Sequence, residues 1–335
     1  MKIESIELKD YKVLQNFKID FRDSDGEILD TIVLAGVNGS GKTTLLNFIL
    51  YKFERINDKS YNLSDIWDKN HLEINNFKHI DLNKRIVYLK VNETPKNLII
   101  DQIKDFIDMI KDQNEDIIVK KANQKAVDKI NSVFEGLDIK TKFQGISKDI
   151  KRDILFCNDI KDDIKLDELS TGEQQLFIRA LSLKMMDLKD CIILIDEPET
   201  SLHPNWQNHI LRVYQNIAKA GDNQLIIATH SPQIISSTPN ESLRVLVKDG
   251  KYIKVKTYDN TFGAEIEEVL QDIMGTKYLR TPQIAVKIKN MWDAINSKNI
   301  ELFDSLYQEL ENILDINDKD LVLARLEKAR VLSRK

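Results

Sequence analysis

Residues of a few types, at telling spacings, could act on a phosphate ester in this chain. Gly36-Val37-Asn38-Gly39-Ser40-Gly41-Lys42-Thr43 has the pattern of a phosphate-binding loop. Its glycines let the backbone wrap tightly and turn N–H groups inward, and a following helix adds the partial positive charge of its N-terminus. Gly36, Asn38, Gly39, Ser40, Gly41 and Thr44 are therefore candidate nucleotide contacts. Lys42 would reach the β- and γ-phosphates, and Thr43 would offer its hydroxyl to Mg2+. The plain alternative is a Gly-rich turn joining a strand to a helix. Further on, Asp196 would hold Mg2+ directly or through a water, and Glu197 would serve as general base or position the attacking water. A solvated strand end would look similar. His230 could hydrogen-bond the γ-phosphate or that water, or simply cap the helix opened by Ser231-Pro232. Taken together, these types point to hydrolysis of ATP with Mg2+.

Such residues need a buried parallel sheet to bring them together. Thr31 to Ala35 is a short apolar run that Gly36 ends, and Leu45, Leu46, Phe48 and Ile49 predict a helix beginning near Lys42. Ile192 to Ile195 is a continuous apolar run, as expected of a strand buried on both faces, with Asp196 and Glu197 at its C-terminal end. Leu225 to Thr229 is another, and His230 stands beside Glu197 if the two strands are neighbours.

Between these motifs lies Leu169-Ser170-Thr171-Gly172-Glu173-Gln174-Gln175. The order Lys42, Ser170, Glu197, His230 resembles that of ABC-type ATPases, with this stretch as their signature, over most of the first 260 residues. The resemblance implies an ATP-sandwich homodimer in which Ser170, Gly172 and Glu173 of one protomer cap the nucleotide held by the other. Chemically this is reasonable: a hydroxyl, a close backbone approach and a helix N-terminus all face the γ-phosphate.

Within that superfamily the SMC-like and OLD-like branch fits better than transporters. Ile3 to Lys12 resembles the opening strand of SMC, RecF and OLD-type ATPases, which makes Lys12 a candidate nucleotide contact. Tyr11 would pack near the base or sugar, or in the core. His203-Pro204 follows Ser201-Leu202 where transporters usually carry Asp. Asn92-Glu93 stands where a Q-loop is expected, without a Gln.

The expected fold class is α/β, an ABC-type P-loop ATPase domain over residues 1–260. A small helical lobe at about 95–165 is inserted between the phosphate loop and the signature, and a helical region covers 261–335. Leu98, Ile99, Ile103, Phe106, Ile107 and Ile110 recur at helical spacing, a second helix is expected from Ile117 to Phe134, and Gly136 fits its stop. No sustained heptads of the SMC kind occur, and no Toprim nuclease set follows. The tail reads as amphipathic helices at Ile266–Met274, Ile284–Ile295, Leu302–Leu314 and Leu321–Leu332, either a cap on the core or a platform for a partner.

This layout resembles PtuA-type ATPase subunits of Septu phage defence, including retron-associated ones. The resemblance implies a separately encoded HNH nuclease that the ATPase gates, with DNA or RNA reached through the partner complex. Another reading is a RecF-like repair ATPase acting directly on DNA. A third, the nucleotide-binding subunit of a transporter, fits His203-Pro204 poorly.

The formal net charge of −5 argues against a generally basic nucleic-acid binder. Basic residues gather at Arg325, Lys328, Arg330, Arg334 and Lys335 and around Arg280, Lys287 and Lys289, most simply as a solvated face. The two cysteines, Cys157 and Cys191, and the lack of a leader pattern fit a reducing cytoplasm. No apolar stretch approaches a membrane span, and the His spacing suggests no metal site.

Overall fold

Alternating apolar and polar residues through Lys2–Tyr11 (β1) and Leu14–Asp20 (β2) fold the start of the chain into an antiparallel hairpin, with Ile6 opposite Ile19 and Leu8 opposite Phe17. The computed structural model describes residues 1–57, 70–75, 86–90, 96–112, 119–137, 139–147, 152–276 and 279–333. Two units are distinguished, Met1–Val269 and Leu270–Lys335.

In the first unit the chain continues through β3 (Thr31–Ala35), α1 (Lys42–Asn57), β4 (Asn70–Asn75) and β5 (Ile86–Leu89). Next come α2 (Lys96–Asp112), α3 (Val119–Asn131), β6 (Lys142–Ile146), β7 (Ile154–Cys157) and β8 (Ile164–Lys165). The unit is completed by α4 (Thr171–Met185), β9 (Ile192–Asp196), α5 (Pro204–Lys219), β10 (Gln224–Thr229), α6 (Pro232–Ser236), β11 (Leu243–Asp249) and β12 (Tyr252–Lys256).

The central sheet has the order β12-β11-β3-β10-β9-β5, parallel except for the antiparallel β11–β12 pair. β3, β9 and β10 are buried almost throughout, which explains why their sequences are continuous apolar runs rather than alternating ones. Their parallel register brings Ala35, Asp196 and Thr229 to the same carboxyl edge of the sheet. α1 buries Leu45, Leu46, Phe48, Ile49 and Phe53 in one core with β1, β2 and the central strands.

A second sheet, β2-β1-β4, is tied to the first by buried side chains. The Gln224 amide accepts from Ile3 N (2.7 Å) and donates to Ile3 O (3.0 Å) and Leu29 O (3.1 Å). Arg244 donates to the carbonyls of Asp20 and Arg22, each at 2.7 Å.

The inserted lobe contains the expected helices, α2 and α3, with a left-handed Gly136 after the second. It also carries an antiparallel sheet, β6-β7-β8, which the sequence spacing did not indicate. Phe143, Phe156, Phe177 and Phe134 make successive ring contacts that pack this sheet on α4.

The second unit contains α7 (Pro282–Asn296), α8 (Ile300–Glu311) and α9 (Lys319–Ser333). Ile288, Met291, Ala294, Ile295, Phe303, Leu310, Leu321 and Ala324 form its core. Arg280 pairs with Asp318 (2.7 Å) and Asp320 (2.8 Å), fixing the start of α9 against the segment that leads into α7. Among the described residues no helix is long and apolar enough to cross a membrane.

Candidate active site

The phosphate-loop motif connects β3 to α1, as its pattern requires. Gly36 needs to be glycine: its φ is 144°, and a methyl group there would lie 2.5 Å from the Leu246 carbonyl oxygen. Asn38 and Gly39 are exposed at the crest, whereas Ser40 is fully buried and its Oγ has no hydrogen-bond partner among the described residues. Thr43 is exposed and Thr44 half-buried in the first turn of α1. The buried Lys42 ammonium donates to the carbonyls of Gly36 (2.6 Å) and Val37 (3.4 Å). Burial pulls its pKa below the usual lysine value, against the opposing pull of Glu197, Asp196 and Glu199. An ammonium held only by loop carbonyls can turn to a phosphate anion at little cost.

Asp196 ends β9 and is 6 % exposed. Burial pushes its carboxyl above the usual range; the nearby Thr43 hydroxyl opposes this, Glu197 adds to it, and Tyr88 and Lys42 pull it back. Its Oδ1 is buried with no hydrogen-bond partner among the described residues, and Tyr88 reaches Oδ2 at 3.4 Å. A lone buried carboxylate oxygen beside a threonine hydroxyl fits a hard, oxygen-seeking cation such as Mg2+.

Glu197 sits in the left-handed region at φ 46°, an uncommon and strained backbone for a residue with a side chain. The strain is held from both sides: Glu197 N donates to Ala228 O (2.8 Å), and Glu197 O accepts from Arg179 Nη1 (3.1 Å). His230 follows β10, the immediate neighbour of β9, and its Nδ1 lies 3.0 Å from the Glu197 carboxylate. A carboxylate and an imidazole in contact, both partly open to solvent, can share a proton with a water between them and a phosphate. His230 does not cap the next helix; Ser231 does, accepting from Ile234 N.

Glu199, which the sequence reading did not single out, organises this turn. Only 5 % exposed, its Oε1 accepts from Thr229 Oγ1 (2.6 Å), His230 N (3.0 Å) and Ser231 N (3.1 Å). Gln207 adds a tie from α5, donating to Leu202 O (3.0 Å) and accepting from Ser231 Oγ (2.7 Å).

Ser170 is the exposed N-cap of α4 and forms a capping box with Glu173. Burial raises the Glu173 pKa, but hydrogen bonds from Ser170 and Thr141 outweigh it and the net shift is downward. Its carboxylate thus faces its own helix cap and the lobe. A methyl group on Gly172 would lie 2.7 Å from Ser201 O, so the signature rests directly on the turn that follows Glu197. Lys12 is exposed in the β1–β2 turn, left-handed at φ 53°, with its ammonium 5.5 Å from the Tyr11 ring centre. The same turn touches the phosphate loop, since a methyl on Gly41 would lie 2.8 Å from Leu14 Cδ2. Tyr11 packs edge-on against Phe48, in the core role. Asn92-Glu93 lies outside the described residues.

The chain is similar to known proteins. Septu protein PtuA of Bacillus thuringiensis is 27 % identical over 153 residues, 44 % of this chain and 38 % of that protein. The chain therefore spans well under half the length of that relative. The probable ABC transporter ATP-binding protein p29 of Mesomycoplasma hyorhinis is 27 % identical over 245 residues, 72 % of this chain and 84 % of that one. The Retron Vc95 probable ATPase of Vibrio cholerae is 30 % identical over 80 residues, 24 % of this chain and 15 % of the relative. The chain is similar to ABC-type, Septu and retron ATPases. Residues 1–93 and 88–235, which hold every strand of the carboxyl-edge site, match the AAA ATPase domain, and the chain belongs to that family.

Proposed function

We propose that the chain is an ATP-driven switch that closes as an ATP-sandwiched homodimer and, in its ATP state, controls a separately encoded HNH nuclease in phage defence. The observation that carries the reading is the exposure of Ser170 at the N-terminus of α4, on a chain that also carries a phosphate loop and a Glu197–His230 pair. A second copy would supply Ser170 and Gly172 to the nucleotide held by the first. Likeness to the Septu and retron ATPases supports the defence setting.

Lys42 and the loop from Gly36 to Thr44 would hold the phosphates, with Lys12 at the adjoining turn. Thr43 and Asp196 would hold Mg2+, which neutralises phosphate charge when bound. Glu197 takes the proton of the attacking water, and His230 orients that water or the γ-phosphate. Glu199 keeps the His230 backbone in place.

The test is to co-express the chain with the product of its neighbouring gene and measure mass in solution with and without ATP. A complex containing a nuclease, with nuclease activity set by the nucleotide state, is the expected outcome. A lone dimer whose hydrolysis is stimulated by DNA would overturn the defence reading in favour of a repair ATPase.

A further inference from the structure

We propose that Lys248 is a second cation for the bound nucleotide, contacting its terminal phosphate from the opposite side of the loop to Lys42; this rests on the phosphate-loop reading above. β11 pairs with β3 from Leu243 opposite Val33 to Val245 opposite Ala35, and then runs on past the end of β3. Its continuation passes over the loop. The Leu246 carbonyl oxygen is 2.5 Å from where a methyl on Gly36 would lie, and Lys248 Nζ is 3.6 Å from where one on Gly39 would lie.

At that crest, Gly39 and its two chain neighbours aside, Lys248 Nζ is the only atom of the described residues within 4 Å of the Gly39 methyl position. Lys42 occupies different ground, on the carbonyls of Gly36 and Val37. The two ammonium groups thus serve separate stretches of one anion-binding backbone. Lys248 is exposed and forms no ion pair among the described residues; the acid beside it, Asp249, is engaged by Lys254. A long, flexible, uncommitted ammonium at the open crest suits the distal, most highly charged end of a nucleoside triphosphate.

The experiment is calorimetric titration of wild type, Lys248→Ala, Lys248→Arg and Lys42→Ala with a Mg2+-bound non-hydrolysable ATP analogue and with Mg2+–ADP. Lys248→Ala is expected to weaken the triphosphate about tenfold and the diphosphate by less than about threefold, with Lys248→Arg close to wild type. The difference should shrink at ~0.5 M salt, because an exposed charge is screened. Unchanged triphosphate affinity, or equal loss for both nucleotides, overturns the role of Lys248. Lys42→Ala separates the two readings: if it still binds both nucleotides normally, the phosphate-loop reading fails as well, whereas its loss alongside a neutral Lys248→Ala overturns only this proposal.

Discussion

Glu199 gives the most decisive test of how the hydrolytic turn is held. Its buried Oε1 is the shared acceptor for Thr229 Oγ1, His230 N and Ser231 N. Glu199→Ala orphans two of these donors, Thr229 Oγ1 and His230 N, in a nearly closed environment, whereas Ser231 N keeps Thr229 Oγ1 as an acceptor at 2.9 Å. At the low end of about 1 kcal/mol for each buried unsatisfied group, the loss is about 2 kcal/mol. For an ATPase unit of this size that lowers the melting temperature by roughly 4–8 °C. Glu199→Gln keeps an oxygen where Oε1 stands and places its NH2 where Oε2 has no partner, so it should cost only about 1 kcal/mol.

Function should divide the same way. The His230 backbone is positioned by Glu199 and its ring touches Glu197, so the alanine variant moves the ring off the carboxylate. We expect its kcat for ATP to fall about 100-fold, the low end for losing a positioned acid–base group, and that of the glutamine variant by less than about threefold. The assays are differential scanning fluorimetry without nucleotide and steady-state phosphate release. If the two variants melt and turn over alike, or if the alanine variant melts with wild type, Glu199 does not organise this turn.

Glu197→Gln removes the proposed proton acceptor while keeping the shape. It should slow phosphate release more than about 100-fold and leave a dimer that persists in ATP during size-exclusion chromatography. Asp196 has a raised pKa, so its ionised form costs folded stability as pH rises through that value, and no such cost exists below the ordinary carboxylate range. Asp196→Asn should therefore melt higher than wild type at neutral pH without Mg2+, with the gain vanishing near pH 4; a gain that is constant with pH would rule out the charge as its source. Gly172→Ala would set a methyl 2.7 Å from Ser201 O, and overpacking against backbone at about 1–3 kcal/mol should reduce turnover while ADP binding stays intact.

Much of this site is legible because of how the sheet is buried. Parallel strands covered on both faces read as unbroken apolar runs, so Ile192–Ile195 and Leu225–Ala228 announce their ends, and the polar residues there announce the carboxyl edge. Glu199 was not legible because its role depends on the next strand's turn folding onto it; in Glu197-Pro198-Glu199-Thr200-Ser201 it looks like any solvated loop acid. Arg179 had a visible signal. It lies within Leu176-Phe177-Ile178-Arg179-Ala180-Leu181, where a lone charge in an apolar helix must find a polar partner. The lobe's strands are short and pack by aromatic contacts with residues far along the chain, so no local alternation marks them.

The same hidden contacts join the two halves of the site within one chain. Arg179, on the signature helix, holds the Glu197 carbonyl; Gly172, at the start of that helix, lies against Ser201; Gln207 links Leu202 to Ser231. Closely packed backbone cannot absorb displacement gradually, and the left-handed Glu197 and Ser201 leave this turn little conformational latitude. α4 is thus in direct contact with the turn that carries Glu197, through Arg179 at the Glu197 carbonyl and Gly172 at Ser201. From the other side, Thr141 at the edge of the lobe sheet donates to Glu173, whose carboxylate caps Ser170. Lobe, signature helix and hydrolytic turn are thus consecutive links of one hydrogen-bonded chain. A partner that grips the lobe has a direct mechanical route to the residues that would perform hydrolysis.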